Sequence, residues 1–116
     1  MNQPLFLHNP RCSKSRAALA LLEQAGIAPA IVNYLEVPPT AAAIERILDL
    51  LGIAPRELMR RDEDVYHSEG LADQALGPAE LIDAMARHPR LIQRPIFIAN
   101  GKAVIGRPPA AVLDIL

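Results

Sequence analysis

Asn100-Gly101 stands between two strand-like runs, Pro95-Ile96-Phe97-Ile98-Ala99 and Lys102-Ala103-Val104-Ile105. A two-residue loop of this kind fits a type I′ turn, whose backbone matches the twist of paired strands. This part of the chain is therefore an antiparallel hairpin. After it, Pro108-Pro109 can open a last helix with Val112, Ile115 and Leu116 along one face. At the other end, Leu5-Phe6-Leu7 reads as a short buried strand that runs into a polar turn. From Ser13 to Ala25 the apolar residues Ala18, Leu22 and Ala25 recur at helical spacing, and Gly26 suits the position just past a helix end. Ile31, Val32 and Tyr34 form a second strand, closed by Pro38-Pro39. The chain thus begins as βαβ and ends as ββα.

Helices fill the middle. Thr40 can cap a helix whose Ile44, Ile47, Leu48 and Leu51 make an i, i+3, i+4, i+7 stripe, ended by Gly52. Pro55 can start a short helix through Leu58 and Met59, and Pro78 another one with Leu81, Ile82 and Met85 on one side, stopped near His88-Pro89. Arg60 to Gly77 reads as polar and irregular. Its Asp62-Glu63-Asp64 cluster is read as a solvated surface or cap, since no ligand set completes a metal site. No linker, repeat or low-complexity segment divides the chain, so residues 1–116 are expected to form one domain of the α/β class.

Composition excludes several functions. Hydrophobic content of 51% with 22% charged residues is that of a globular protein. With a formal net charge of -1 and only Phe6, Tyr34, Tyr66 and Phe97 as aromatics, neither a basic field nor a base-stacking surface is available for nucleic acid. No run approaches the length of a membrane span, and Met1 to His8 lacks the basic start and long apolar stretch of a signal peptide. A single cysteine can form no internal disulfide, and no Cys/His spacing resembles a zinc site. The chain is expected to be a cytoplasmic monomer with no resident metal or cofactor.

That cysteine is the candidate reactive group. Cys12 lies in His8-Asn9-Pro10-Arg11-Cys12-Ser13-Lys14-Ser15-Arg16, where the first strand passes into the first helix. Unpaired N–H groups and the positive end of the helix dipole favour a thiolate there, and His8, Arg11, Lys14 and Arg16 add charge or potential charge. Free cysteines are more often buried as small hydrophobes, but the flanking charges argue against that environment. Among the 12 basic residues only Lys14 and Lys102 are lysine. Arginine forks suit oxyanions, although the bias alone carries little weight.

Strand, helix and strand, later followed by a hairpin and helix, with a cysteine at the first strand-to-helix turn, is the order of a thioredoxin-like domain. The usual C-x-x-C pair is here Cys12-Ser13-Lys14-Ser15, so no second thiol can resolve an adduct on Cys12. Further matches are His8-Asn9-Pro10, Ser15-Arg16, Tyr34-Leu35-Glu36 with Pro38-Pro39, Leu58 and Arg60, Gly70-Leu71-Ala72, His88-Pro89, Arg94-Pro95-Ile96, and Arg107-Pro108 leading to Val112-Leu113-Asp114-Ile115-Leu116. On these the chain resembles the glutaredoxin-coupled arsenate reductase family, in particular its arsenate-reductase-like branch. Where well-known members have Gly-Thr after the cysteine, this chain has Ser13-Lys14.

The resemblance implies a thioredoxin-like α/β fold, βαβ then ββα around a small mixed sheet, with a helical insertion between the halves. It implies that Cys12 attacks arsenate or a similar oxyanion, that His8 helps lower the thiol pKa, and that Arg60, Arg94 and Arg107 hold the anion. Ser15 and Arg16 match neighbours in the anion loop, and Pro95 matches a cis proline beside the cysteine. Glutathione is the implied co-substrate and glutaredoxin the implied partner. Read alone, each residue keeps a plainer role. Arg60 could pair with its acidic neighbours, Arg94 and Arg107 could mark extended geometry before proline, and His8 could be a hydrogen-bonded strand end. Two other functions share these residues: a monothiol oxidoreductase acting on glutathione mixed disulfides or another oxyanion, and a redox-linked regulator. Ser15 disfavours the regulator, because such switches use C-x-x-C.

Overall fold

The computed structural model describes residues 3–116; Met1 and Asn2, part of the segment read as lacking a leader's basic start, lie outside the described residues. The described residues fall into two compact units, one that runs up to Val37 and resumes over Arg94–Leu116, and one over Pro38–Gln93. The first holds both halves of the expected mixed sheet, and the second is the helical insertion.

In the first unit the strands are β1 (Leu5–His8), β2 (Ala30–Asn33), β3 (Ile96–Ala99) and β4 (Lys102–Ile105). They form one sheet in the order β2-β1-β3-β4. β1 runs parallel to β2 and antiparallel to β3, with Phe6 opposite both Ile31 and Phe97. The β3–β4 hairpin turns at Asn100 (φ 55) and Gly101 (φ 72), as a type I′ turn requires. Helix α1 (Ser13–Gln24) supplies the crossover between β1 and β2 and covers one sheet face. Phe6, Ala18, Leu22, Phe97, Ala99 and Val112 form the core of this unit, with the Phe6 and Phe97 rings 6.5 Å apart and tilted.

The last segment differs from the expected helix. Pro109–Ile115 is a 3₁₀ helix. Pro108 and Pro109 offer no N–H, and the closing bonds span three residues, Ala111 N–H to the Pro108 carbonyl and Leu116 N–H to the Leu113 carbonyl. The tighter winding still seats Val112 in the core, fully buried.

The second unit contains α2 (Ala41–Leu51), α3 (Pro55–Leu58), α4 (Asp64–Ser68) and α5 (Pro78–Arg87), followed by a 3₁₀ turn at Pro89–Leu91. Thr40 caps α2 as expected, its Oγ1 accepting the Ala43 N–H at 3.1 Å, and Gly52 ends it in the left-handed region. Helix α4 falls inside the stretch expected to be irregular. It buries Tyr66, whose hydroxyl accepts from Arg56 Nη1 at 3.0 Å, while the same guanidinium donates to the Leu71 and Asp73 carbonyls. Five donors on a rigid fork let one side chain tie down a segment with little core of its own. Among the described residues no helix is long and apolar enough to cross a membrane.

Candidate active site

Cys12 is the N-cap residue of α1, with extended backbone (φ -94, ψ 122). Its N–H donates to the Asn9 carbonyl at 3.0 Å, and its carbonyl accepts the Arg16 N–H at 3.0 Å. The preceding turn is ordered by the Asn9 Oδ1, which accepts the Arg11 N–H, and by Arg16 Nη1, which donates to the Pro10 carbonyl at 2.8 Å. The chain thus presents a half-buried sulfur at the mouth of a twelve-residue helix.

Opposing influences act on that sulfur. Burial pushes the thiol pKa up, but hydrogen bonds from the Ser15 N–H, the Arg94 side chain and the Lys14 N–H, together with the Arg94 charge, outweigh it and lower the pKa. The surrounding donors therefore favour the charged form over the neutral one, which is how a helix start activates a nucleophile.

Arg94 and Arg107, thirteen residues apart, come together. Arg107 Nε donates to the Arg94 carbonyl at 2.9 Å. The Arg94–Pro95 peptide is cis, as the resemblance implied, and so is Arg107–Pro108, which nothing in the sequence foretold. Among the described residues Arg94 Nε is buried without a hydrogen-bond partner, so the side chain that faces the sulfur retains an unused donor.

His8, the last residue of β1, and Ser15, in the first turn of α1, are joined side chain to side chain. His8 Nδ1 lies 2.7 Å from Ser15 Oγ, which also accepts the Asn9 N–H at 3.1 Å. Ser15 is fully buried and His8 9% exposed. Burial, and then the Arg16 charge, hold the His8 pKa below its ordinary value. His8 is therefore a neutral ring at neutral pH, where the sequence suggested a potential cation, and it reaches the thiol loop through Ser15.

Arg60 belongs to the second unit. Its Nη1 pairs with Glu63 Oε2 at 2.8 Å, and Arg90 Nε approaches the other Glu63 oxygen at 3.4 Å. The plainer reading of Arg60 as an ion-pair residue thus describes its present contacts. Glu63 is engaged by two arginines, and among the described residues no three His, Cys, Asp or Glu side chains gather as metal ligands.

Charge is unevenly divided. The first unit carries Arg11, Lys14, Arg16, Arg94, Lys102 and Arg107 against Glu23, Glu36 and Asp114. All but Lys102 lie in the cysteine loop or next to the two prolines just described. A local positive field suited to an anionic reactant is thus concealed by the overall charge of -1. Sequence reasoning missed Asn9, whose side chain closes a short Asx turn on the Arg11 N–H.

Residues 7–115 match the model of the ArsC family. The chain is 53% identical over 115 residues to a protein of Escherichia coli K12 named as uncharacterized protein YfgD, covering 98% of this chain and 97% of that one. It is 51% identical over 104 residues to an arsenate reductase of Neisseria meningitidis serogroup A, 89% of each. The solved structure of an arsenate reductase from Vibrio cholerae is similar with a TM-score of 0.96 and 47% identity, over 97% of each chain.

Proposed function

The chain belongs to the ArsC family, and from that membership we propose that it reduces arsenate to arsenite, with Cys12 as nucleophile and glutathione and glutaredoxin as external reductants. The observation that carries the reading is the meeting of α1 N–H groups and the Arg94 guanidinium on one half-buried sulfur. Such donors stabilise a thiolate and can also bind the oxygens of an incoming anion, lowering the repulsion between the two negative species. Among the described residues Arg107 bonds the Arg94 backbone through Nε alone, which leaves its two Nη groups for a bidentate contact with oxygen.

The first step joins the Cys12 sulfur to As(V), and one arsenate oxygen leaves as hydroxide that a proton converts to water. Glutathione then replaces a second oxygen, again with loss of water. A glutaredoxin thiolate attacks the glutathionyl sulfur and forms a mixed disulfide; the electron pair of the broken As–S bond remains on arsenic, which passes from +5 to +3. Hydrolysis of the remaining As–S bond releases arsenite and restores Cys12. External thiols are required because Ser15 stands where a resolving cysteine would stand, its hydroxyl occupied with His8 and Asn9. A lone working thiol also suits the reducing cytoplasm. The resemblance adds Arg60 to the anion-binding set; with its guanidinium on Glu63, an oxyanion competes with a carboxylate for it.

Arsenite production from arsenate, measured with glutathione and glutaredoxin, tests the reading. The parent should turn over, Cys12→Ser should not, and Arg94→Ala and Arg60→Ala should fall well below the parent. Cleavage of glutathione mixed disulfides without arsenite formation would overturn it.

A further inference from the structure

Gly106 and Arg107 make three close contacts with the segment that carries Arg94. The Gly106 N–H donates to the Pro95 carbonyl at 2.9 Å, and Arg107 Nε donates to the Arg94 carbonyl at 2.9 Å. The Arg107 N–H bonds to the Ile105 carbonyl at 2.8 Å, which turns the chain at Gly106 so that both contacts form together. The third is steric. A Cβ at position 106 would lie 2.7 Å from Pro95 Cγ, 3.2 Å from Pro95 Cδ and 3.2 Å from Val112 Cγ1. Neither neighbour is a flexible chain end: one is a proline ring and the other a fully buried core residue. Gly106 has no positive φ, so this glycine is required by space and not by torsion.

We propose that Gly106 and Arg107 act as positioning residues, a brace that grips the carbonyls of Arg94 and Pro95 and so holds the Arg94 guanidinium against Cys12. The brace has a force to oppose. Arg94 Nε is buried with no partner among the described residues, and an unsatisfied buried donor gains by moving to water. Two backbone carbonyls held from β4's end remove that escape at the root of the side chain. Arg107 thereby serves the thiol without touching it, in addition to the anion-binding role proposed above.

The inference deepens the thiol reading and rests on it, but its test needs no arsenate. Cys12 alkylation by iodoacetamide is followed against pH in the parent, Gly106→Ala, Arg107→Met and Arg107→Gln, each also in an Arg94→Met background. Glutamine places an amide N–H2 where arginine has Nε, so it can keep the bond to the Arg94 carbonyl while losing the charge. Gly106→Ala and Arg107→Met should move the profile to higher pH and slow alkylation several-fold at neutral pH, while Arg107→Gln stays near the parent. With Arg94→Met present, none should add a further shift. If Arg107→Gln shifts as far as Arg107→Met, or if the shifts persist without Arg94, the brace is refuted and Arg107 acts by charge alone. Should Gly106→Ala not fold, the Arg107 pair decides the matter. Absence of arsenate turnover in a parent showing this pattern would count against the reaction and leave the brace standing.

Discussion

Ser15→Ala removes one oxygen from a fully buried site and strands two polar groups. His8 Nδ1 loses its partner at 2.7 Å in a ring only 9% exposed, and a buried polar atom left unpaired costs about 1–3 kcal/mol. The Asn9 N–H, on a half-buried residue, can recruit water and adds about 1 kcal/mol. Together the loss is about 2–4 kcal/mol, large against the marginal stability of a domain. For a chain of this size that lowers Tm on the order of 10 °C. Urea unfolding with an unchanged m-value would read it as a shift in midpoint. A double variant with His8→Phe should cost less than the two single changes summed, because the imidazole that Ser15→Ala strands is gone. A loss under about 0.5 kcal/mol for Ser15→Ala would refute the view of this hydroxyl as the link between strand and thiol loop.

The His8 pKa is lowered in the folded state, so between that value and its ordinary 6.5 the unfolded chain binds more protons; stability should rise with pH across this window and be flat above it, a slope that His8→Phe abolishes in pH-resolved unfolding. The lowered Cys12 pKa has the same sign at higher pH: stability should rise from the folded value up to 9.0, and Cys12→Ser should remove that rise. Phe97→Ala, in the centre of the sheet core, should cost about 3–5 kcal/mol in urea unfolding. Thr40→Ala should cost only about 1 kcal/mol, through the lost cap of α2.

Features governed by local rules were readable in the sequence. Asn100-Gly101 marked its hairpin because few residues accept positive φ in succession, and Thr40 with Gly52 bracketed α2 because each satisfies groups that a helix end leaves open. Helix α4 escaped notice, since five residues are too few to display a period and it is held by Arg56 from ten residues away. The approach of Arg107 to Arg94 and the tight fit at Gly106 are properties of space; no spacing along the chain encodes them. His8 illustrates the same boundary from another side. Its sequence neighbours suggest a cation beside a thiol, but burial and Arg16 decide against the charge. Family likeness raised Arg94 and Arg107 above their plain role as residues before proline, and the structure then joined them.

Protection of Cys12 from alkylation tests most directly the claim that an ionised sulfur and an oxyanion share one site. Iodoacetamide labelling is measured across pH with and without arsenate, and labelled Cys12 is quantified by mass spectrometry. The account predicts a midpoint below that of a free cysteine and saturable slowing by arsenate, weakened in Arg94→Ala. A midpoint at or above the free value, or labelling indifferent to arsenate, would contradict it.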